Sequence, residues 1–304
     1  MTNQISVAKP DWRGVFPAAT TQFGENMRVD IGATRAVQQA LVRDGVHGLI
    51  LLGTVGENCS LSADEKRAVL TAAVGEVGGK VPLIAGVAEF TTDAAIAYAR
   101  DAEAIGVSGL MLLPAMVYVP TPEELEKHFR AVAKATRLPI MLYNNPPAYR
   151  VNIDIATLQA LSDCENIVAL KESAPDSRRF TDVYNALGDR YTLFAGLDDV
   201  AFEGLVLGAA GWVSGLTNAF PVESLKLYQA IVDGDLELAR KIYRWFMPLL
   251  HLDAHHDLVQ SIKLAEAVMG RGSERVRPPR YPLTGARRAE VIALIEQARD
   301  NRPF

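Results

Sequence analysis

The sequence predicts an α/β fold, a (β/α)8 TIM barrel with a C-terminal helical appendage. Three observations support this prediction. Eight short apolar runs alternate with amphipathic segments of helical period as far as residue 230. Small glycine-bearing loops follow several of the runs, which favours a barrel over the alternative of a doubly wound sheet. Beyond the eighth run the pattern is helical, so we predict a barrel domain at 1–230 and a helical subdomain at 231–304.

The eight apolar runs are too short for helices and rich enough in β-branched residues for buried strands. The predicted strands cover residues 14–20, 47–52, 81–87, 109–113, 139–143, the run that ends at Lys171, 191–195 and 211–214.

The segments between the strands carry helix signals. Ser62 with Glu65 forms a capping box, Thr92 is a plausible N-cap, and Pro122 suits a first helical turn. The predicted helices cover residues 29–44, 62–77, 92–105, a segment opening near 121, and 235–253, 256–269 and 286–300.

Composition predicts a cytoplasmic globular enzyme or binding protein. Hydrophobic residues make up 49% and charged residues 22%, which is ordinary for a chain with a large core. The net charge of -5, without a basic run, argues against nucleic acid. No apolar run reaches membrane-spanning length, and we expect no signal segment. Cys59 and Cys164 form neither a metal nor a disulfide pattern, which favours a reducing compartment.

The sixth apolar run ends abruptly in Lys171, at the strand end where parallel α/β folds place their chemistry. A lysine held against an apolar interior has a lowered pKa, and its free amine can form a Schiff base. The alternative is a strand-end lysine that points into solvent. Among the lysines of the sequence, only Lys171 lies at the C-terminal end of a predicted strand.

Other predicted strand ends supply complementary groups. Thr54 and the backbone N–H groups beside it follow the second strand and could hold a carboxylate. Tyr143 ends the fifth strand and could carry protons. The eighth strand delivers Val213. These strand ends together form a coherent site for a 2-oxo acid.

These motifs resemble the family of dihydrodipicolinate synthase and N-acetylneuraminate lyase, the pyruvate-type class I aldolases, over almost the whole chain. The matching segments are 53–57, 143–146, 170–173, 211–214 and 260–264. The resemblance implies that Lys171 forms the Schiff base, with no cofactor or metal, and that Tyr143 shuttles protons. It also implies that Thr54 and the backbone of Val55 bind the substrate carboxylate, that the carbonyl of Val213 touches the bound acid, and that the protein is a homotetramer built from dimers.

Three departures argue against the synthase reaction. Val55 replaces a threonine that bonds the catalytic tyrosine in the synthase. Met116 lies near the place of the synthase's second relay tyrosine, unless Tyr118 substitutes for it. Ala148 replaces an arginine that grips the aldehyde substrate, while Arg150 lies two residues later.

The segments 14–18, 148–151, 196–199 and 242–246 are similar to a smaller branch, the hydroxyproline-catabolic deaminases. This resemblance implies deamination and dehydration of 1-pyrroline-4-hydroxy-2-carboxylate to 2-oxoglutarate semialdehyde. The alternatives are a pyruvate-dependent aldolase or lyase, a dihydrodipicolinate synthase-type condensation, a 2-keto-3-deoxy sugar acid dehydratase or aldolase, and a non-catalytic keto acid sensor on the same barrel. In every case the predicted partner is a small 2-oxo acid or cyclic imino acid.

Several other conspicuous residues have structural interpretations. His251 and His255 have a zinc-compatible spacing, with His256 beside them, but lie in the appendage and lack a metalloprotease glutamate, so we predict no metal. Glu57 is expected to bind backbone or cap a helix, and Cys59 to pack in a loop. Tyr149 and Arg150 remain open, because Arg150 could hold a substrate group or form a salt bridge between subunits.

Overall fold

The computed structural model describes residues 9–115 and 118–304. Within these residues eight parallel strands form one sheet in the order β1-β8-β7-β6-β5-β4-β3-β2. The strands are β1 (Gly14–Pro17), β2 (Leu49–Leu51), β3 (Leu83–Val87), β4 (Gly109–Leu112), β5 (Ile140–Asn144), β6 (Ile167–Glu172), β7 (Thr192–Ala195) and β8 (Gly211–Ser214). A parallel bridge between Ala18 and Ile50 joins the two ends of the sheet, so the predicted barrel fold is confirmed.

The helices lie between and after the strands. They are α1 (Ile31–Arg43), α2 (Ala63–Val77), α3 (Thr92–Ile105), α4 (Pro122–Ala135), α5 (Pro146–Tyr149), α6 (Ile155–Ala160), α7 (Arg178–Leu187), α8 (Ala201–Val206), α9 (Pro221–Val232), α10 (Leu236–Ala254), α11 (Leu258–Val268) and α12 (Gly285–Asp300). The last three form the appendage. The predicted division at 230 falls inside α9 and stays a prediction. Among the described residues, no helix has the length and apolarity needed to span a membrane.

Local capping chemistry explains where α2, α3 and α4 begin. The predicted capping box of α2 is confirmed, and α4 has a second one between Thr121 and Glu124 behind Pro122. The prediction of Thr92 as a cap is wrong by one residue. Thr91 is the N-cap of α3, because its hydroxyl accepts a hydrogen bond from the amide of Ala94 at 3.1 Å.

Most strand limits differ from the predictions by one to three residues. The first strand ends at Pro17 rather than residue 20, and beyond it the amide of Ala18 still bonds Ser214 of β8 whereas that of Ala19 bonds Ile50 of β2. The sixth strand is longer than the apolar run and includes Glu172, which shows that a charged residue can continue a strand when it is paired.

The barrel interior is closed below the strand ends by large side chains. Phe16 and Phe194 pack edge to face there, with ring centroids 5.3 Å apart. Inward-facing residues of the other strands complete this layer, namely Ile50, Ile84, Met111, Met141 and Val213. Because this layer is packed, the barrel interior leaves room for a cavity at the C-terminal ends of the strands.

A buried ion pair fastens the appendage to the barrel. Lys263 of α11 is fully buried, and its Nζ lies 2.9 Å from Oε1 of Glu57 and 2.7 Å from the carbonyl of Thr21. The other oxygen of Glu57 accepts the backbone amide of Arg277 at 2.9 Å, which agrees with the expectation that Glu57 binds backbone. Each charge thus has a partner in a region that excludes water.

We predict that Lys263→Met destabilises the protein by about 3–5 kcal/mol, because it leaves the carboxylate of Glu57 buried without its cation. Urea unfolding at fixed protein concentration measures this loss. The matched control is Lys241→Met on the exposed side of α10, expected to change stability by less than about 0.5 kcal/mol. Equal losses in the two variants would contradict the prediction.

Candidate active site

A cavity opens at the C-terminal ends of the strands and contains all the site residues predicted from sequence. It is lined by Ala18, Gly53, Thr54, Val55, Met111, Tyr143, Asn145, Ala148, Lys171, Gly196, Leu197, Val213, Gly215, Asp253 and Leu258. The roles of the predicted residues stay predictions, but the fold brings them to one place.

The alternation of β6 directs Lys171 into this cavity. Its neighbour Glu172 points the other way, where Asn144 and Arg179 bind its carboxylate at 2.8 Å each. Lys171 is 6% exposed, and its Nζ lies 3.8 Å from the ring centroid of Tyr143. Burial lowers the pKa of Lys171, while the negative charge of Asp253 opposes that shift. This environment favours the free amine that Schiff-base chemistry requires.

Gly196 makes room for the lysine side chain. A Cβ atom at this position would lie 2.8 Å from Cγ of Lys171 and 2.1 Å from Oγ of Ser173. Any side chain at position 196 would therefore displace the side chain of Lys171.

The Tyr143 phenol lies buried beside the lysine. Its oxygen accepts a hydrogen bond from Nδ2 of Asn145 at 2.9 Å. Burial raises the pKa of Tyr143 to about 12, so the phenol keeps its proton at neutral pH.

Tyr149, left open by the sequence, belongs to this site. Its hydroxyl lies 2.5 Å from Oγ1 of Thr54, and its ring meets that of Tyr143 edge to face at 5.5 Å. The short helix α5, capped by Asn145, turns the chain back so that Tyr149 reaches the strand ends. Arg150 is exposed and ends α5 in the left-handed region, with φ of 58°. The choice between its two possible roles stays open.

Tyr118 is the predicted substitute for the second relay tyrosine of the synthases, whose place lies near Met116. Met116 lies outside the described residues, and Tyr118 is 57% exposed. The pair of Tyr149 and Thr54 offers a phenol from the same chain close to Tyr143.

Sequence reasoning missed two aspartates near the lysine. Asp253 comes from α10 and lines the cavity; burial raises its pKa to about 6. Asp198, after β7, is fully buried and accepts hydrogen bonds from Trp212, Ser214 and the amide of Leu216. Asp198 lies in the segment 196–199, which resembles the deaminase branch, so a signal for it was present in the sequence. Asp253 had no local signal, because only the fold brings it close to Lys171.

The histidines of the appendage lie away from this cavity. His251 bonds Asp199 at 2.9 Å rather than pairing with His255. His255, His256 and Asp257 lie close enough together to share an ion, but Asp257 is held by Arg287 at 2.8 Å. The prediction that the chemistry needs no metal stays a prediction. Cys59 is exposed, in the loop after β2.

The comparisons with known proteins agree with this architecture. The sequence model of the Dihydrodipicolinate synthetase family matches residues 11–298. The 4-hydroxy-tetrahydrodipicolinate synthase of Syntrophobacter fumaroxidans is 32% identical over 281 residues, which are 92% of this chain and 96% of that protein. An uncharacterized DapA-like lyase of Rhizobium meliloti is 32% identical over 297 residues, 96% of each chain.

Solved structures give the same result. The dihydrodipicolinate synthase of Aquifex aeolicus superposes with a TM-score of 0.91 at 28% identity, covering 95% of this chain and 98% of that one. A prophage protein of the same family from E. coli K12, solved in complex with pyruvate, has a TM-score of 0.89 at 27% identity, covering 95% and 99%. The chain therefore belongs to the dihydrodipicolinate synthetase family. It is an enzyme, a Schiff-base-forming lyase of the class I aldolase type.

We predict that Tyr149→Phe weakens binding of a 2-oxo acid, because it removes the hydroxyl that bonds Thr54 in the predicted carboxylate site. The concentration of pyruvate that half-saturates borohydride trapping on Lys171 should rise about 5-fold, the equivalent of a hydrogen bond of ~1 kcal/mol. The control is Tyr281→Phe, at an exposed tyrosine outside the cavity. An unchanged half-saturating concentration for Tyr149→Phe would remove Tyr149 from the binding site.

Proposed function

We propose that this enzyme converts 1-pyrroline-4-hydroxy-2-carboxylate to 2-oxoglutarate semialdehyde and ammonia, a deamination with dehydration that belongs to hydroxyproline catabolism. One observation carries the proposal: the amine of Lys171 shares its cavity with the apolar side chain of Val55, where the synthases use a threonine. A cavity without that hydroxyl suits elimination rather than condensation. The segments shared with the deaminase branch support the same choice.

Substrate binding in this proposal uses the strand-end groups. The hydroxyl of Thr54 and the backbone N–H of Val55 hold the carboxylate, and the carbonyl of Val213 touches the bound acid. All three residues line the cavity. Binding of the carboxylate at the β2 loop leaves C2 of the ring free to approach Lys171.

The first chemical step opens the ring. The Lys171 amine attacks C2 of the cyclic imine, and the C2–N bond then breaks. The ring nitrogen leaves as a primary amine on C5. It takes one proton from the attacking nitrogen of Lys171 and a second from the Tyr143 phenol, which lies beside the lysine. The product is an open chain bound to Lys171 as an iminium.

The second step removes the hydroxyl group. The iminium acidifies the C3 proton, which returns to Tyr143, and the electron pair of the C3–H bond forms a C3–C4 double bond as the C4–O bond breaks. Proton shifts then convert the C5 amine to an imine, which water hydrolyses to the aldehyde and ammonia. A second water releases the product from Lys171. One water leaves and two enter, so the net reaction consumes one water and releases one ammonia.

This route needs no cofactor and no metal, because the covalent bond to Lys171 provides the electron sink. The small-molecule substrate and a homotetrameric assembly are part of the proposal.

A second candidate is a lyase that releases pyruvate from a 2-keto-3-deoxy sugar acid. It is favoured by the pyruvate bound in the E. coli relative and uses the same Lys171 and Tyr143. The two candidates differ in their products.

We predict that the wild-type enzyme releases ammonia from 1-pyrroline-4-hydroxy-2-carboxylate and that Lys171→Ala releases none. A coupled ammonia assay measures both. Lys241→Ala, at an exposed position of α10, is the matched control and should keep full activity.

Absence of ammonia from the wild type would overturn the deaminase proposal. Pyruvate released from 2-keto-3-deoxy sugar acids by the same preparation would then establish the second candidate.

A further inference from the structure

Asp253 reaches the active-site cavity from the appendage rather than from the barrel. It is the penultimate residue of α10, and its half-buried side chain lines the same cavity as Lys171. None of the steps derived above uses it.

The neighbouring backbone is shaped around this carboxylate. A Cβ atom at Gly215, just after β8, would lie 2.3 Å from Oδ1 of Asp253 and 2.4 Å from Cδ1 of Ile262. Glycine at position 215 therefore allows the carboxylate to approach the strand ends from the β8 side. Tyr143, on β5, adjoins Lys171 from the other side, because β6 lies between β5 and β7.

Several charged or titratable groups act on Asp253. Burial raises its pKa to about 6. A positive charge on the Lys171 nitrogen and the backbone amide of Asp198 act to lower this pKa, and the carboxylate of Asp199 acts to raise it. The negative charge of Asp253 in turn contributes to raising the pKa of Asp198 and that of Tyr143, after the larger effect of burial. The carboxyl can therefore carry a proton just below neutral pH, the range that suits a general acid.

Asp198 provides a useful contrast to Asp253. It is also a buried aspartate near the lysine, but both of its oxygens are engaged by Trp212, Ser214 and Leu216. Because these three donors occupy its carboxylate, we interpret Asp198 as a structural residue. Asp253 instead lines the cavity that also contains Lys171.

The dehydration step lacks an acid in the mechanism above. Hydroxide is a poor leaving group, and Tyr143 is occupied with the C3 proton. We propose that Asp253 is the catalytic acid that protonates the leaving C4 hydroxyl, so that the appendage completes the active site. This inference rests on the proposed function. The proton of the Asp253 carboxyl passes to the C4 oxygen, the C4–O bond breaks with its electron pair on oxygen, and water leaves. Asp253 is reprotonated by solvent.

The test compares Asp253→Asn with wild type in the full-length enzyme, using two substrates. The first is 1-pyrroline-4-hydroxy-2-carboxylate, followed by ammonia release. The second is 1-pyrroline-2-carboxylate, which can open on Lys171 but has no hydroxyl to lose, followed by borohydride trapping and mass spectrometry. The matched control is Asp235→Asn at the other end of α10, where asparagine caps a helix as well as aspartate.

For Asp253→Asn we expect ammonia release to fall at least about 100-fold, because a general acid is lost, while trapping of 1-pyrroline-2-carboxylate persists. The wild-type rate should also fall as the pH rises through the pKa of Asp253, and this decline should be absent in the residual activity of the variant. The adduct trapped from the hydroxylated substrate should keep its hydroxyl group.

Two results would overturn the role of Asp253. One is ammonia release by Asp253→Asn within a few-fold of wild type, and the other is loss of trapping together with loss of ammonia release. Absence of ammonia from the wild type would instead defeat the proposed function, and the assignment of a dehydration acid would fall with it.

Discussion

The central constraint on this structure is the burial of the Lys171 amine at the C-terminal ends of the barrel strands. Burial disfavours the ammonium form of Lys171. The alternation of side chains along β6 directs Lys171 inward and Glu172 outward, where Asn144 and Arg179 bind the carboxylate of Glu172. Gly196 leaves the space that the side chain needs. The reactive group is thus prepared by packing before any substrate arrives.

The appendage is part of this arrangement, because its helices contribute both to stability and to the cavity. Lys263 of α11 pairs with Glu57 in the loop that also carries Thr54 and Val55, so the predicted carboxylate site is anchored from outside the barrel. Helix α10 places Asp253 against Gly215, just after β8. Residues on both sides of the predicted boundary at 230 therefore form one site.

Much of this could be predicted from the sequence, for identifiable physical reasons. Short apolar runs, a capping box and a first-turn proline are local signals, and they predicted the eight strands and the starts of α2 and α4. Lys171 was predictable because a charge interrupts an apolar run. Lys263 and Asp253 were not, because each lies on an amphipathic helix where a charged residue is ordinary. The place of Tyr149 in the site could not be predicted, because it depends on the course of α5, a four-residue helix that leaves no periodic signal in the sequence.

The central claim is that the amine of Lys171 is uncharged at a pH where ordinary lysines are protonated. Labelling with a neutral amine-reactive reagent tests this claim directly. The fraction of Lys171 that is labelled is measured by peptide mass spectrometry as a function of pH. We expect half-maximal labelling of Lys171 at a lower pH than that of a short lysine peptide, whose pKa is about 10.4. Labelling of Lys171 with the same pH midpoint as the peptide would contradict the account.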